Sequence, residues 1–482
     1  MAAEGIKRNP LEKLPPETLQ MICTLLPRAD LKNLRLLSRA WDETPLPALL
    51  RTVYLRVHLQ SFENLQDISR SEKLQKYVRY ISYDGRTLGT YPFRQDVEEW
   101  MEHCACRGLG MFNTTKVKFL EQFTPTQLEK YYQSYQQYLF MQEHMLRRDY
   151  EKIMLRDALQ NLPTLLGVEY VVPTFQDELE YEKARSLTSL SAVAQKILAE
   201  PESYHRSRES EGHFWTLLES ACLSGHAHKL TNIRGSNIDL NRWNDTAASF
   251  TTFYENLPSL QDLSLEFQFA GHFDGETEHF ATLIACASSL RFLRLSFDCF
   301  FGDETRGVVY LPQVITDDVF LQNLRRLSLE ALVTSEAHLR GVLRQHRRTL
   351  RSLELSTIIF KRNACPDEYG SGSWVLFIEF LNREMDLDHV EFDGSFSNSW
   401  NEGWVVTRDV DHDIKNSSFD EIPPRSSDDR LLDRIKRLIT GGNTHANPFT
   451  ARSPDDHYSY GHNLPWAIKS DKSWYFEERL LQ

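Results

Sequence analysis

The sequence holds 7 cysteines, 16 histidines and 68 acidic residues, yet few of them fall at a spacing that does chemistry. His103-Cys104-x-Cys106 is the tightest cluster of soft ligands. A tetrahedral zinc site needs a second pair at a matching spacing, and none follows. Asp409-x-Asp411-His412-Asp413 is acidic enough to attract a cation, but it lacks the glycine and closing glutamate of a calcium loop and reads as a solvated turn. A glycine-rich phosphate loop, a dinucleotide fingerprint, a nucleophile elbow and a paired-histidine zinc helix are all missing. These spacings single out no catalytic residue, no metal and no cofactor, which agrees with a binding protein and leaves an enzyme with an unrecognised site as the alternative.

Arginine is the other chemistry-bearing residue. Arg325, Arg326, Arg340, Arg344, Arg347, Arg348 and Arg351 fall close together. Guanidinium forks match carboxylates and phosphates, so Arg325, Arg326, Arg344, Arg347 and Arg348 are candidates for holding an acidic or phosphorylated substrate. The plainer reading is one solvated helix face made by Arg340, Arg344, Arg347 and Arg348. Residues 361–430 carry the opposite balance, 16 anions against 7 cations. They are placed to pair with the arginines, repel the same ligand or attract a basic one.

Composition narrows the partners. The chain has 482 residues, 41% hydrophobic and 26% charged, with a formal net charge of −13. Nucleic-acid binding needs clustered cations in excess, so no nucleic acid is expected. No apolar run reaches the roughly 18 residues of a membrane span, and the densest, Trp374 to Leu381, is broken by Glu379. The first ten residues lack the apolar core of a signal peptide. Scattered cysteines in odd number argue against a disulfide framework. A cytoplasmic or nuclear location, with reduced thiols, is the expectation.

The elements that must position these groups begin at the N-terminus. Leu14-Pro15-Pro16-Glu17 starts a helix, since proline is tolerated where the first amide has no partner and Glu17 suits the positive end of the dipole. Leu19, Ile22, Leu25 and Leu26 form its apolar stripe. Pro27 stops it. Asp30 caps a second helix with the stripe Leu31, Leu34, Leu37 and Trp41. Ala48-Leu49-Leu50 predicts a short third helix before the strand-like Thr52 to Val57. Such a unit is too small to bury its own apolar residues, so it must pack on the rest of this chain or on another protein.

The pattern Leu14-Pro15-x-Glu17-x-Leu19-x-x-Ile22, then Leu26-Pro27-x-x-Asp30-Leu31-x-x-Leu34-x-x-Leu37-Ser38-Arg39-x-Trp41, closely resembles an F-box. The resemblance implies a three-helix motif that docks on the Skp-type adaptor of a Skp–cullin–F-box (SCF) ubiquitin ligase, with the rest of the chain selecting a protein substrate. By position it implies that Leu14, Pro15, Leu19, Ile22, Leu26, Leu31, Leu34, Leu37 and Trp41 face the adaptor or hold the motif together. Residues 1–60 carry nine cations against six anions, a small excess that suits an acidic partner and equally a solvated face.

The remainder repeats one spacing. Leu260-x-x-Leu263-x-Leu265 recurs from Leu290, Leu324 and Leu350, with weaker copies from Val78, Leu165, Leu230 and Leu387. Each copy ends in a strand-like alternation, and helix-like stretches lie between them: 214–222, 279–286, 337–343 and 374–381. One strand plus one helix per unit cannot bury its apolar face alone and must stack. These units resemble degenerate leucine-rich repeats. The Asn or Cys that the family places after the strand is missing, Gln268, Asp298 and Ile358 standing there, so an uneven stack is expected. The alternative is an ordinary α/β domain with leucine-rich strands. The repeat style and the tail Lys472 to Glu477 resemble the large fungal set of F-box proteins.

The expected fold is α/β: a tail over 1–9, an F-box over 10–51, a repeat solenoid over 52–405, and a C-terminal loop with a helical and aromatic tail over 406–482. Residues 127–161 predict one long helix or two joined near Arg148, with a tyrosine stripe that packs in a core or, less simply, in a coiled-coil dimer. Residues 171–212 read as an exposed insertion. Phe267, Phe269, Phe297, Phe300 and Phe301 stand at strand-to-loop junctions, as core or as rim. The rival functional reading is an interaction scaffold that assembles no ligase, its helical hairpin capping the solenoid.

Overall fold

The computed structural model describes residues 14–37, 41–85, 87, 97–98, 100, 123–147, 149–171, 211–239, 257–268, 278–298, 309–316, 319–360, 372–398, 403–406 and 439–440. The His103–Cys106 cluster, the acidic run at 409–413, nearly all of the 171–212 insertion, Phe269, Phe300, Phe301 and the aromatic tail lie outside them. The chain forms two compact units that divide between Leu230 and Thr231.

Unit 1 opens with three short helices, α1 (Pro16–Leu25), α2 (Arg28–Leu37) and α3 (Leu46–Leu50). Pro16 begins α1 and Pro27 separates it from α2, as the prolines dictate. The strand β1 (Thr52–Arg56) follows, then α4 (Leu59–Arg70) and β2 (Tyr80–Asp84). Next come α5 (Pro125–Arg147), α6 (Tyr150–Gln160), β3 (Gly167–Val171) and α7 (Glu211–Ala221). β1, β2 and β3 pair in parallel, in that order. The segment at 127–161 is two helices. They part at Asp149, whose φ of 47° is left-handed and ends α-helical propagation. Tyr132, Tyr135 and Leu139 are buried core, whereas Ile153 is exposed.

Unit 2 stacks one strand per repeat: β4 (Asn232–Asp239), β5 (Asp262–Gln268), β6 (Phe292–Asp298), β7 (Arg326–Thr334), β8 (Ser352–Phe360) and β9 (His389–Asn398). These pair in parallel in chain order, and β10 (Gly403–Val406) adds antiparallel to β9. The interleaved helices are α8 (Glu278–Cys286), α9 (Leu311–Val314), α10 (Glu336–Gln345) and α11 (Trp374–Glu384). The fold is thus α/β with parallel sheet.

The recurring leucines explain the stack. Leu263, Leu293, Leu327, Leu353 and Val390 are register partners, as are Leu265, Leu295, Leu329, Leu355 and Phe392. All ten are buried. Alternation sends them to one face, and each leucine finds its neighbour's counterpart about 4.8 Å away. Leu260, Leu290, Leu324 and Leu350 close the preceding turns from inside.

The main tie from one turn to the next is not an Asn or Cys after the strand, although Asn323 Nδ2 donates to Ser288 O across one step at 3.2 Å. A single backbone carbonyl makes that tie at each step. Arg291 O accepts from the amides of Arg325 and Arg326, Arg325 O from those of Arg351 and Ser352, and Arg351 O from those of Asp388 and His389. The same step recurs in unit 1, where Arg51 O accepts from Arg79 and Tyr80. Phe267 and Phe297 stack at 5.1 Å inside the core, so these two junction aromatics are packing residues. Tight corners demand a small residue: Gly372 has φ of +86°, and a Cβ there would strike the Glu336 side chain at 2.1 Å.

Candidate functional site

The N-terminal hairpin is held by its own small core. Cys23, Leu31 and Leu49 are buried together, with Leu26, Leu34 and Ala48 packed against them. α3 packs against both α1 and α2. Since α3 runs directly into β1, it fixes the hairpin to unit 1. Arg28 adds a second tie, donating to Thr52 O at 3.1 Å with its guanidinium 5.1 Å from the centre of the Tyr54 ring. At the far end of α2, Arg35 grips Asp42, with Nη2 2.8 Å and Nε 3.2 Å from Oδ1. That hydrogen bond holds the Asp42 carboxyl below its ordinary range.

The nine residues that the sequence singled out divide into groups. Leu31 is buried in that core, and Trp41 is buried as well. Leu26 and Leu34 pack against the same core. Leu14, Leu19 and Ile22 are half-buried, and Pro15 and Leu37 are exposed. Ser38 and Arg39 lie outside the described residues.

Three exposed residues stand outside those nine, and one of them, Leu25, leaves the apolar stripe expected of α1 for solvent. Met21, Leu25 and Leu36 are 69%, 84% and 84% exposed, and Leu37 is 64% exposed. Met21 and Leu25 stand one turn apart on α1, so they share a face. The signal was present in Leu25-Leu26 and Leu36-Leu37. Adjacent helical positions diverge by about 100°, so one leucine of each pair cannot reach the face its neighbour uses.

The arginines also divide. Arg326 pairs with Glu354 at 2.5 Å, and Arg344 makes a bidentate pair with Glu384 at 2.7 and 2.8 Å. That pair lowers the Glu384 pKa and raises that of Arg344. Arg340 pairs with Glu336 within α10, and Arg351 with Asp386 at 2.8 Å. Arg325, Arg347 and Arg348 are exposed, and no ion pair engages them among the described residues. Arg347 and Arg348 do not continue the helix face of Arg340 and Arg344. α10 ends at Gln345, and its last turn is closed by His346, whose Nδ1 lies 2.7 Å from Val342 O.

Two further clusters bear on chemistry. Glu354, His389 and Glu391 bring one ligand atom each within 4.8 Å of one another on β8 and β9. Arg326 already engages Glu354, so the group is a cross-strand charge ladder. In unit 1, His213 Nδ1 donates to Glu151 Oε2 at 2.6 Å, and Tyr83 Oη lies 3.4 Å from the same nitrogen. All three side chains are buried. Burial first, and then the Glu151 charge, push the Tyr83 hydroxyl far above its ordinary pKa, so it stays protonated. Burial pushes the Cys222 thiol up to about 12 and raises Cys23, which makes both poor nucleophiles. Among the described residues no helix is long and apolar enough to cross a membrane. No family model matches the chain, and no curated protein matches it.

Proposed function

We propose that the chain is the non-catalytic substrate-receptor subunit of an SCF-type E3 ubiquitin ligase. Residues 10–51 act as an F-box that docks a Skp-type adaptor and, through it, a cullin. The leucine-rich-repeat-like region holds a protein substrate. The observation that carries this reading is the set Met21, Leu25, Leu36 and Leu37, large apolar side chains left in solvent on a hairpin whose sequence follows the F-box pattern. Large apolar side chains left exposed on one small motif favour an interaction site. The hairpin's own core is already satisfied by Cys23, Leu31 and Leu49. In such a receptor the protein does its work by proximity: it presents a bound substrate to a transfer centre on other subunits and needs no nucleophile of its own.

Replacing Leu14 and Pro15 with Ala is expected to abolish co-purification with the Skp-type adaptor while the rest stays folded. Unchanged adaptor binding would remove the assignment. The rival reading, a scaffold outside any ligase, separates in the same purification. Cullin accompanies the adaptor if the chain is a ligase subunit and is missing if it is a scaffold.

A further inference from the structure

In unit 2 the residue that precedes each strand stands in one column. Gln261, Arg291, Arg325, Arg351 and Asp388 occupy equivalent positions, each donating its amide to the carbonyl one strand back. Neighbouring strands lie about 4.8 Å apart, so Arg291, Arg325 and Arg351 fall within roughly 10 Å along the edge where the strands begin. Arg351 is engaged by Asp386. Arg291 and Arg325 are exposed, with no ion-pair partner among the described residues.

Arg347 and Arg348 join them from the turn between α10 and β8. His346 fixes that turn to the preceding repeat, its Nε2 accepting the Leu321 amide at 3.0 Å while Nδ1 donates to Val342 O. The two turns are thus joined, one carrying Arg325 and the other Arg347 and Arg348. Phe320, 62% exposed, stacks on the His346 ring at 5.7 Å and adds an apolar contact.

The rest of unit 2 treats arginine differently. Arg294, Arg326, Arg340, Arg344 and Arg383 pair with Glu330, Glu354, Glu336, Glu384 and Glu379. A chain of net charge −13 has acid to spare, yet among the described residues no ion pair engages Arg291, Arg325, Arg347 or Arg348, the Glu384 charge reaching Arg347 only at longer range. Like charges on neighbouring strands repel, so the arrangement costs stability until an anion arrives.

We propose that this edge binds a short acidic peptide in extended form, its carboxylates on Arg291, Arg325, Arg347 and Arg348 and one apolar side chain on Phe320. An extended chain presents every second side chain on one face at about 6.6 Å, a step that flexible arginines span. Their forks match carboxylates. A long polyanion fits less well, because Glu384, whose charge Arg347 feels, and Asp386 and Asp388 beside Arg351 bound the cationic stretch and repel a continuous line of phosphates. As a binding surface this edge stands apart from the ligase reading; as a substrate site it rests on that reading and names the substrate class.

The test uses the full chain and no ligase component, so it fails separately from the adaptor assignment. A fluorescein-labelled peptide with Asp at four alternate positions and one Leu is titrated at low salt and followed by anisotropy. We expect saturable binding, at least tenfold weaker for R325A/R347A and for the Asp→Asn peptide. R325Q/R347Q should behave like the Ala pair, and thermal melting should be unchanged because both side chains are exposed and unpaired. R383A removes a charge already engaged by Glu379 and should bind as the unaltered protein does. The proposal is overturned if the double variants bind equally well, if R383A loses as much, or if single-stranded oligothymidine of equal charge binds as tightly as the peptide.

Discussion

The N-terminal hairpin and the unit 2 stack use the same residue, leucine, in opposite ways. In the stack, Leu263, Leu293, Leu327 and Leu353 each meet a register partner and disappear from solvent. In the hairpin, Leu31 disappears while Leu25, Leu36 and Leu37 stay in water. A repeat can always bury its apolar face on the next repeat. Ten-residue helices around a three-residue core run out of partners, and the surplus apolar surface is left for another molecule. The difference teaches that leucine content alone does not separate core from docking surface; the supply of neighbours does.

Four substitutions would break or sharpen that contrast. The largest effect is expected away from both regions, at the buried pin of unit 1. His213→Ala takes away the 2.6 Å partner of the buried Glu151 carboxylate and leaves it only Tyr83, and should cost about 3–5 kcal/mol in chemical denaturation. Next comes Leu353→Ala in β8, at about 2–5 kcal/mol, because a cavity opens between two register partners. A loss below about 1 kcal/mol would mean that the stack is not close-packed as described.

His346 should show a smaller, pH-dependent effect. Burial holds its pKa below the ordinary histidine value. Its Nε2 must also stay unprotonated to accept the Leu321 amide. The unfolded chain therefore takes up the proton first, near pH 6.5. The clamp's contribution is complete above that pH and declines as pH falls below it. The size is about 1.4 kcal/mol for each unit by which folding depresses the pKa. Thermal melting of H346Q between pH 5 and 8 should be flatter than that of the parent; parallel curves would remove the clamp. The smallest effect belongs to Leu25→Ala, which should change stability by less than about 0.5 kcal/mol. A cost of 2 kcal/mol there would show that Leu25 is core.

Much of the scaffold was legible because it rests on local arithmetic. The spacing Leu-x-x-Leu-x-Leu carries its own strand and turn, and Pro16 and Pro27 bound α1 without help from tertiary contacts. Arg291 was missed because its place in the column depends on pairing between repeats, which no single stretch reveals. Arg347 and Arg348 were drawn onto a helix that ends earlier, because the His346 ring closes its last turn through a contact invisible in the spacing. For the hairpin, the doubled leucines signalled that some must face away. Only the packing of α3 decided that Leu26 turns in and Leu25 turns out.

The account stands on the adhesive role of that outward face. Purified adaptor titrated calorimetrically against the full chain tests it most directly, comparing the parent with a variant carrying Leu25→Asp, Leu36→Asp and Leu37→Asp. We predict saturable one-to-one binding by the parent and no measurable heat from the variant, with thermal melting of the two alike. Equal affinities would contradict the account.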